Sequence, residues 1–223
     1  MILVSELGDK TFFIAAVMAM KHPRSAVLTG ALGALALMTV LSAAAGFALP
    51  NLIPREYTHS ASVVLFLIFG LKLLRDGYGM ESEGPSEELE EVEQSLKLGD
   101  SKKDPDVEGG SAGPRAGVAS LGAALLRGAM GAVAWQAFTL TFLAEWGDRS
   151  QIATIALAAN KDPFAVSLGG VLGHAACTTM AVVGGKLLAA RISERTVALC
   201  GGSLFLLFAA HGAWQGASSL HND

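Results

Sequence analysis

Residues Ser5 to Ala16 read SELGDKTFFIAA, and residues Ala144 to Ala153 read AEWGDRSQIA. Each stretch sets an acid, a glycine, a second acid and a base into an apolar run. Glu6, Asp9 and Lys10 in the first are answered by Glu145, Asp148 and Arg149 in the second. Charges in such surroundings are costly, so a doubled set at one spacing points to work done inside an apolar medium.

The rest of the chain supplies that medium. Of its 223 residues, 52% are hydrophobic, and the mean hydropathy is +0.47. That is too apolar for an ordinary soluble domain and indicates a polytopic membrane protein in contact with the bilayer. The 26 glycines suit helices that pack closely in lipid, where no hydrophobic effect pulls them together. The net charge of −4 carries no nucleic-acid signature, and no nucleic-acid partner is expected. Cys177 and Cys200 lie in apolar surroundings and read as buried free thiols. No CxxC pair, His-rich metal box or cleavable signal is visible, so no resident cofactor is expected.

A bilayer core of ~30 Å needs about 20 apolar residues per helix. Six such segments are expected: Met1–Met20, Ala26–Leu49, Ser60–Tyr78, Ala134–Ala159, Phe164–Ala190 and Thr196–Gln215. Pro23, Pro50, Pro54 and Pro163 are expected in the turns between them. Residues Glu81 to Pro114 are acidic and poor in apolar side chains, and read as a solvated, flexible loop. Within it SEELEEVEQSLKL places Leu89, Val92 and Leu96 at helical spacing, as in a short amphipathic helix. Gly117 to Met130 reads as an interfacial lead-in and not as a seventh span.

The motif is one part of a longer internal repeat. After each copy come an apolar helix, a proline turn, a glycine-spaced start (GALG at Gly30–Gly33, GVLG at Gly170–Gly173) and a third span. The expected architecture is all-α, six transmembrane helices as two inverted three-helix repeats. Residues 1–78 form the first repeat, 79–133 the acidic loop and lead-in, and 134–223 the second repeat. Three spans per copy turn the second upside down, and such repeats place a binding site at the midplane. Oligomeric state is not legible.

Lysine and arginine give the orientation. The face reached after the first span holds Lys21, Arg24, Lys72, Arg75, Lys97, Lys102, Lys103, Arg115, Arg127, Lys186, Arg191 and Arg195; the other has Arg55 and Lys161. The loaded face is expected to be cytoplasmic, with both termini on the side away from the cytoplasm and the acidic loop in the cytosol.

On a helix, Glu6 with Asp9 and Glu145 with Asp148 would each share one face. Related by a pseudo-two-fold axis, the copies would bring four carboxylates together at mid-membrane, with Thr11 and Ser150 adding hydroxyl oxygens. Gly8 and Gly147 would allow close approach and local unwinding. Oxygen-only donors suit hard divalent cations such as Ca²⁺, Mg²⁺ or Mn²⁺. Four carboxylates less Lys10 and Arg149 leave two negative charges, which one divalent cation or two protons would neutralise. The expected activity is therefore exchange of cation for protons. The blander reading is that Glu6–Lys10 and Glu145–Arg149, at i,i+4 spacing, merely lock helices together. Gln151, with Phe12 as its counterpart, is a further candidate for lining the site, and His174 reads either as a helix-packing hydrogen bond or as a proton relay.

These stretches, with VSELGDKTFFIAAVMAM, LTFLAEWGDRSQIATIALAA and EELEEVEQSL, closely resemble the Golgi manganese/calcium–proton antiporters, the transmembrane protein one-six-five family. Its signature, E-x-G-D-[KR]-[TS], stands twice, at Glu6–Thr11 and Glu145–Ser150. The resemblance implies a transporter and not an enzyme, with Mn²⁺ or Ca²⁺ as substrate carried into the Golgi lumen against protons, in support of glycosylation and lumenal pH balance. Glu6, Asp9, Glu145 and Asp148 would bind cation and protons, Thr11 and Ser150 would assist, and Lys10 and Arg149 would tune the charge. A passive divalent channel and a non-transporting scaffold are the alternatives. Only five residues precede Glu6, so the first helix is expected to be clipped at its lumenal end.

Overall fold

The structure is a computed structural model that describes residues 1–80, 87–100, 118–189 and 193–219. Among these residues there are nine helices and no strand. They are α1 (Ile2–Ser5), α2 (Lys10–Lys21), α3 (Arg24–Leu52), α4 (Arg55–Gly79), α5 (Glu87–Asp100), α6 (Val118–Glu145), α7 (Arg149–Ala158), α8 (Pro163–Ala189) and α9 (Glu194–Ser219). Four stretches, Arg24–Leu52, Glu56–Gly79, Pro163–Gly185 and Arg195–Ser218, are long and apolar enough to cross a membrane. They match the expected second, third, fifth and sixth spans to within a few residues. The flexible loop expected over Glu81 to Pro114 falls largely outside the described residues.

The first and fourth expected spans are not continuous helices. Met1–Met20 is divided into α1 and α2, and Ala134–Ala159 into the end of α6 and α7. The lead-in expected at Gly117 to Met130 runs without a helix boundary into that fourth segment, because α6 is one helix from Val118 to Glu145. Pro23 and Pro54 stand at helix N-caps and Pro163 opens α8, where a missing N–H costs nothing. Pro50 departs from expectation. It sits inside α3, two residues before its end, where little helix remains to be disrupted.

Packing forms two centres. The first surrounds α2, whose residues Thr11 to Ala19 are all buried. Phe12, Phe13, Val17 and Met18 meet Val27 of α3, Ala137 of α6 and Val182 of α8, and Leu89 and Val92 of α5 cover them. The amphipathic helix read in EELEEVEQSL thus exists and docks by its apolar stripe. The second centre joins α4 and α9 through Phe66, Leu73, Phe205 and Ala209, with Ala153 and Ala156 of α7 beneath. Gly70 and Gly202 face each other there, and a Cβ on Gly202 would lie 2.9 Å from the Gly70 carbonyl oxygen. Large apolar side chains such as Leu41, Ile68, Leu172 and Leu207 remain exposed, as a lipid solvent requires. Cys177 is buried, but Cys200 is exposed, a correction to the expectation of two buried thiols. Hydropathy treats a lipid-facing residue and a core residue alike.

Candidate functional site

Both motifs fold as the same helix break. In the first, Glu6 is the C-cap of α1 and Asp9 the N-cap of α2. In the second, Glu145 ends α6 and Asp148 is the N-cap of α7. Between them Gly8 has φ 85° and Gly147 has φ 82°, a left-handed conformation that an L side chain resists by roughly 1–2 kcal/mol. One turn hydrogen bond closes each break. Asp9 N–H donates to the Glu6 carbonyl at 3.3 Å, and Asp148 N–H to the Glu145 carbonyl at 3.1 Å. The carboxylates therefore do not share a face of one continuous helix, as the spacing suggested. The local unwinding expected from the glycines aims them instead.

The two breaks meet. Glu6, Asp9 and Glu145 each offer a carboxylate oxygen within 4.8 Å of the others. Glu6 is 2% exposed and Glu145 1%. Both Glu6 oxygens and Glu145 Oε2 are buried without a hydrogen-bond partner among the described residues. Crowded carboxyl groups removed from water call for positive charge, whether a cation or protons.

The remaining predicted residues surround this cluster unevenly. Ser150 is buried, and its Oγ donates to Glu145 Oε1 at 3.0 Å. Thr11 is buried at the matching position. Asp148 is not one of the three clustered carboxylates; it accepts from Ser150 N–H at 3.0 Å. Neither base pairs with the glutamate of its own motif. Lys10 Nζ lies 2.8 Å from Glu91 Oε2 of α5, and Arg149 Nε lies 3.9 Å from Asp148 Oδ1. Gln151 Oε1 accepts from Gly147 N–H at 3.2 Å and so braces the second break. His174 of α8 is buried, with Nδ1 3.9 Å from Glu6 Oε2.

Several residues passed over in the sequence reading belong to the same region. Thr39, Ser42 and Thr154 line a cavity of about 10 Å³ with Glu145, Ser150, Gln151 and His174. Thr141 is fully buried with its hydroxyl unpartnered, one turn before Glu145. Asp76, near the end of α4, shares a cavity of about 90 Å³ with Asp9, Asp148, Arg149 and Phe205. The signals were there for two of these: Thr141 and Thr154 stand four residues from Glu145 and Ser150, on their helix faces. A smaller cavity, about 50 Å³, lies among the first residues of α4 and the last of α7 and α9, lined by Ser62, Phe66, Asn160 and Gln215 among others.

Known proteins carry the same arrangement of sequence. The profile of the divalent cation/proton antiporter GDT1 matches residues 1–81 and 133–220. GDT1-like protein 3 of Oryza sativa subsp. indica is 50% identical over 213 residues, spanning 93% of this chain and 69% of that protein. GDT1-like protein 5 of Arabidopsis thaliana is 46% identical, over 93% of this chain and 90% of its own length. GDT1-like protein sll0615 of Synechocystis is 45% identical, over 96% and 93%. No solved structure matches. With buried carboxylates at paired helix breaks and a family profile covering most of its length, the chain belongs to the GDT1 family of divalent cation/proton antiporters.

Proposed function

We propose that the protein exchanges Mn²⁺ or Ca²⁺ for protons across the Golgi membrane, using Glu6, Asp9, Glu145 and Asp148 as one shared site. The observation that carries this reading is the convergence of Glu6, Asp9 and Glu145 within 4.8 Å, from motifs far apart in the chain. Thr11 and Ser150 assist as oxygen donors, and Lys10 and Arg149 set the charge balance. When the cation leaves, protons neutralise the same carboxylates; occlusion of a neutralised site couples the two fluxes.

The architecture of this reading is six spans in two inverted repeats: α1–α2, α3 and α4, then α6–α7, α8 and α9. The packing is consistent with an exchange of halves. α4 packs on α9 and α3 on α8, while α2 against α8 is matched by α7 against α3. From the breaks, α2 and α7 run 12 and 10 residues. At 1.5 Å per residue that is about 18 and 15 Å, about half of a ~30 Å bilayer core. The carboxylates would then sit near mid-depth.

The same reading gives the conformation a direction. The 90 Å³ cavity reaches Asp9 and Asp148 from the end of the molecule where α4 finishes and α9 begins. Lys72, Arg75 and Arg195 belong to those segments, so this end is cytoplasmic by the positive-inside rule, and the termini are lumenal. At the other end Ser62 donates to the Ala156 carbonyl at 3.2 Å and Asn160 Nδ2 to Ser62 Oγ at 2.9 Å, tying α4 to α7. Phe205 lines the first cavity and Phe66 the second; their rings lie 5.9 Å apart. They stand at the same separation along the chain as Glu6 and Glu145. In this conformation the site faces the cytosol, and rocking one half against the other would open it to the lumen. Loading the lumen supports glycosylation and pH balance there, as the resemblance to the Golgi branch implies.

The test uses purified protein in liposomes with a pH-sensitive dye inside. Adding external Mn²⁺ or Ca²⁺ should move protons outward with wild type and not with Glu145→Gln or Asp148→Asn. Cation uptake without proton movement would make the protein a channel. Absence of any flux from folded protein would make it a scaffold, its charges serving as helix ties.

A further inference from the structure

The buried histidine on α8 has no counterpart in the first repeat. GALG is followed by Ala34, whereas GVLG is followed by His174. An imidazole therefore enters a set of oxygen donors from one side only. The backbone shows how it gets there. Gly173 has no side chain, and a Cβ at that position would come within 2.9 Å of Ile2. α1 thus lies directly against α8. Glu6, whose N–H donates to the Ile2 carbonyl at 2.9 Å, follows Ile2 by one turn on the same face, and this brings its carboxylate beside His174.

His174 does not act as a simple structural tie. It is 5% exposed, and its Nδ1 has no hydrogen-bond partner among the described residues. At 3.9 Å from Glu6 Oε2 it is too far for a hydrogen bond. Two ligands each about 2.2 Å from one ion lie roughly 3–4 Å apart, so this separation suits a shared cation. Glu145 and His174 also line the cavity of about 10 Å³, room for one water-sized body. A cation there would have shed its hydration shell, and its ligands would have to come from the protein. Of the buried acceptors left unpaired, Glu145 Oε2 and His174 Nδ1 belong to residues that line it, and the Glu6 carboxylate stands beside His174.

We propose that His174 determines which cation the site accepts. Its imidazole nitrogen joins the Glu6, Asp9 and Glu145 cluster from the Glu6 side and favours divalent transition-metal cations, Mn²⁺ among them, over Ca²⁺. The inference rests on the exchange reading given above and adds a substrate preference to it. Ca²⁺ and Mg²⁺ are held by oxygen ligands throughout, whereas imidazole is a ligand of first-row transition metals. Four carboxylates alone would not make that distinction.

Two measurements test it on the full-length purified protein. In proteoliposomes, radiolabelled Mn²⁺ and Ca²⁺ uptake are compared for wild type, His174→Gln and His174→Ala. The ratio of Mn²⁺ to Ca²⁺ uptake at sub-saturating cation should fall at least about tenfold in both variants, since even a residue that only orients a metal ligand costs 10–100-fold. Equal loss of both fluxes would overturn the proposal and leave His174 as a positioning residue for Glu6. In detergent, pulsed electron paramagnetic resonance of Mn²⁺ bound to wild type should show coupling to one imidazole nitrogen, and His174→Gln should lose it. Bound Mn²⁺ with no nitrogen coupling would overturn the proposal even if neither variant folds. Should wild type bind Mn²⁺ through nitrogen yet move no cation, the exchange reading fails and the ligand assignment stands.

Discussion

The two copies of the motif share a backbone and differ in what surrounds it. In the second copy nearly every group is engaged. Ser150 holds Glu145 Oε1, Asp148 caps α7 through Ser150 N–H, and Gln151 braces Gly147. In the first copy both Glu6 oxygens are unpartnered, Asp9 makes no side-chain cap bond, and Phe12 stands where Gln151 would. One half of the site is preorganised and the other is receptive. A repeated sequence thus yields two halves of unequal hydrogen bonding, which suits the proposed exchange, where a cation is held and then released.

The largest effect expected is from removing a charge at either glutamate. Glu6→Gln and Glu145→Gln keep size and shape, and each should reduce cation-driven proton flux by about a hundredfold or more, beyond the 10–100-fold typical of residues that only orient metal ligands. Isothermal titration with Mn²⁺ on the detergent-purified variants should show the bound cation lost in both. A silent Glu145→Gln variant would break the comparison at its root, because the braced half would then be scaffold and the first copy alone the site.

How much of this could be read beforehand follows from what each signal measures. The doubled E-x-G-D-[KR]-[TS] pattern pointed to Glu6, Asp9 and Glu145 before any fold was visible. Hydropathy located α3, α4, α8 and α9, since a window of about 20 residues matches the length of an uninterrupted span. The same averaging hid the breaks at Gly8 and Gly147, where three residues change direction inside an apolar run. Lys10 looked like a partner for Glu6 because helical spacing assumes a helix; the break removes that geometry, and Glu91 of α5 takes the lysine instead. His174 was legible as a polar residue in an apolar span. That it faces Glu6 depends on α1 packing over Gly173, a tertiary fact with no local trace. Asp148 lies outside the tightest group of three and lines the larger cavity together with Asp9; its N-cap bond to Ser150 N–H is a local detail that the spacing did not carry.

The breaks themselves offer the next test, of intermediate size. At φ 82° Gly147 has open space where a Cβ would go, so substitution there is a matter of backbone strain and not of collision. Gly147→Ala should destabilise the detergent-purified protein by about 1–2 kcal/mol, and Gly147→Asn by less, because asparagine tolerates the left-handed region. Thermal unfolding followed by circular dichroism would read the difference. Equal costs for Ala and Asn would mean that the strain argument fails and that the break persists for another reason. Gly8→Ala should follow the same order, which would show that the two copies are alike in backbone even where they differ in partners.

The smallest effect concerns the contact that most separates the copies. Lys10 reaches Glu91 across to α5, but the two side chains are 43% and 61% exposed. Such a pair contributes about 0–1 kcal/mol. Leu89 and Val92 of the same helix are buried against α2, and truncating a buried leucine costs about 2–5 kcal/mol. Glu91→Gln should therefore leave α5 docked, with its amide hydrogen exchange changed by less than about fivefold, on the order of 1 kcal/mol. Leu89→Ala should release the helix to exchange much faster. If Glu91→Gln loosens α5 as much as Leu89→Ala does, charge and not packing fastens the helix. The lysine of the first motif would then be a docking residue held outside the carboxylate site, and the charge balance of that site would rest on Arg149 alone.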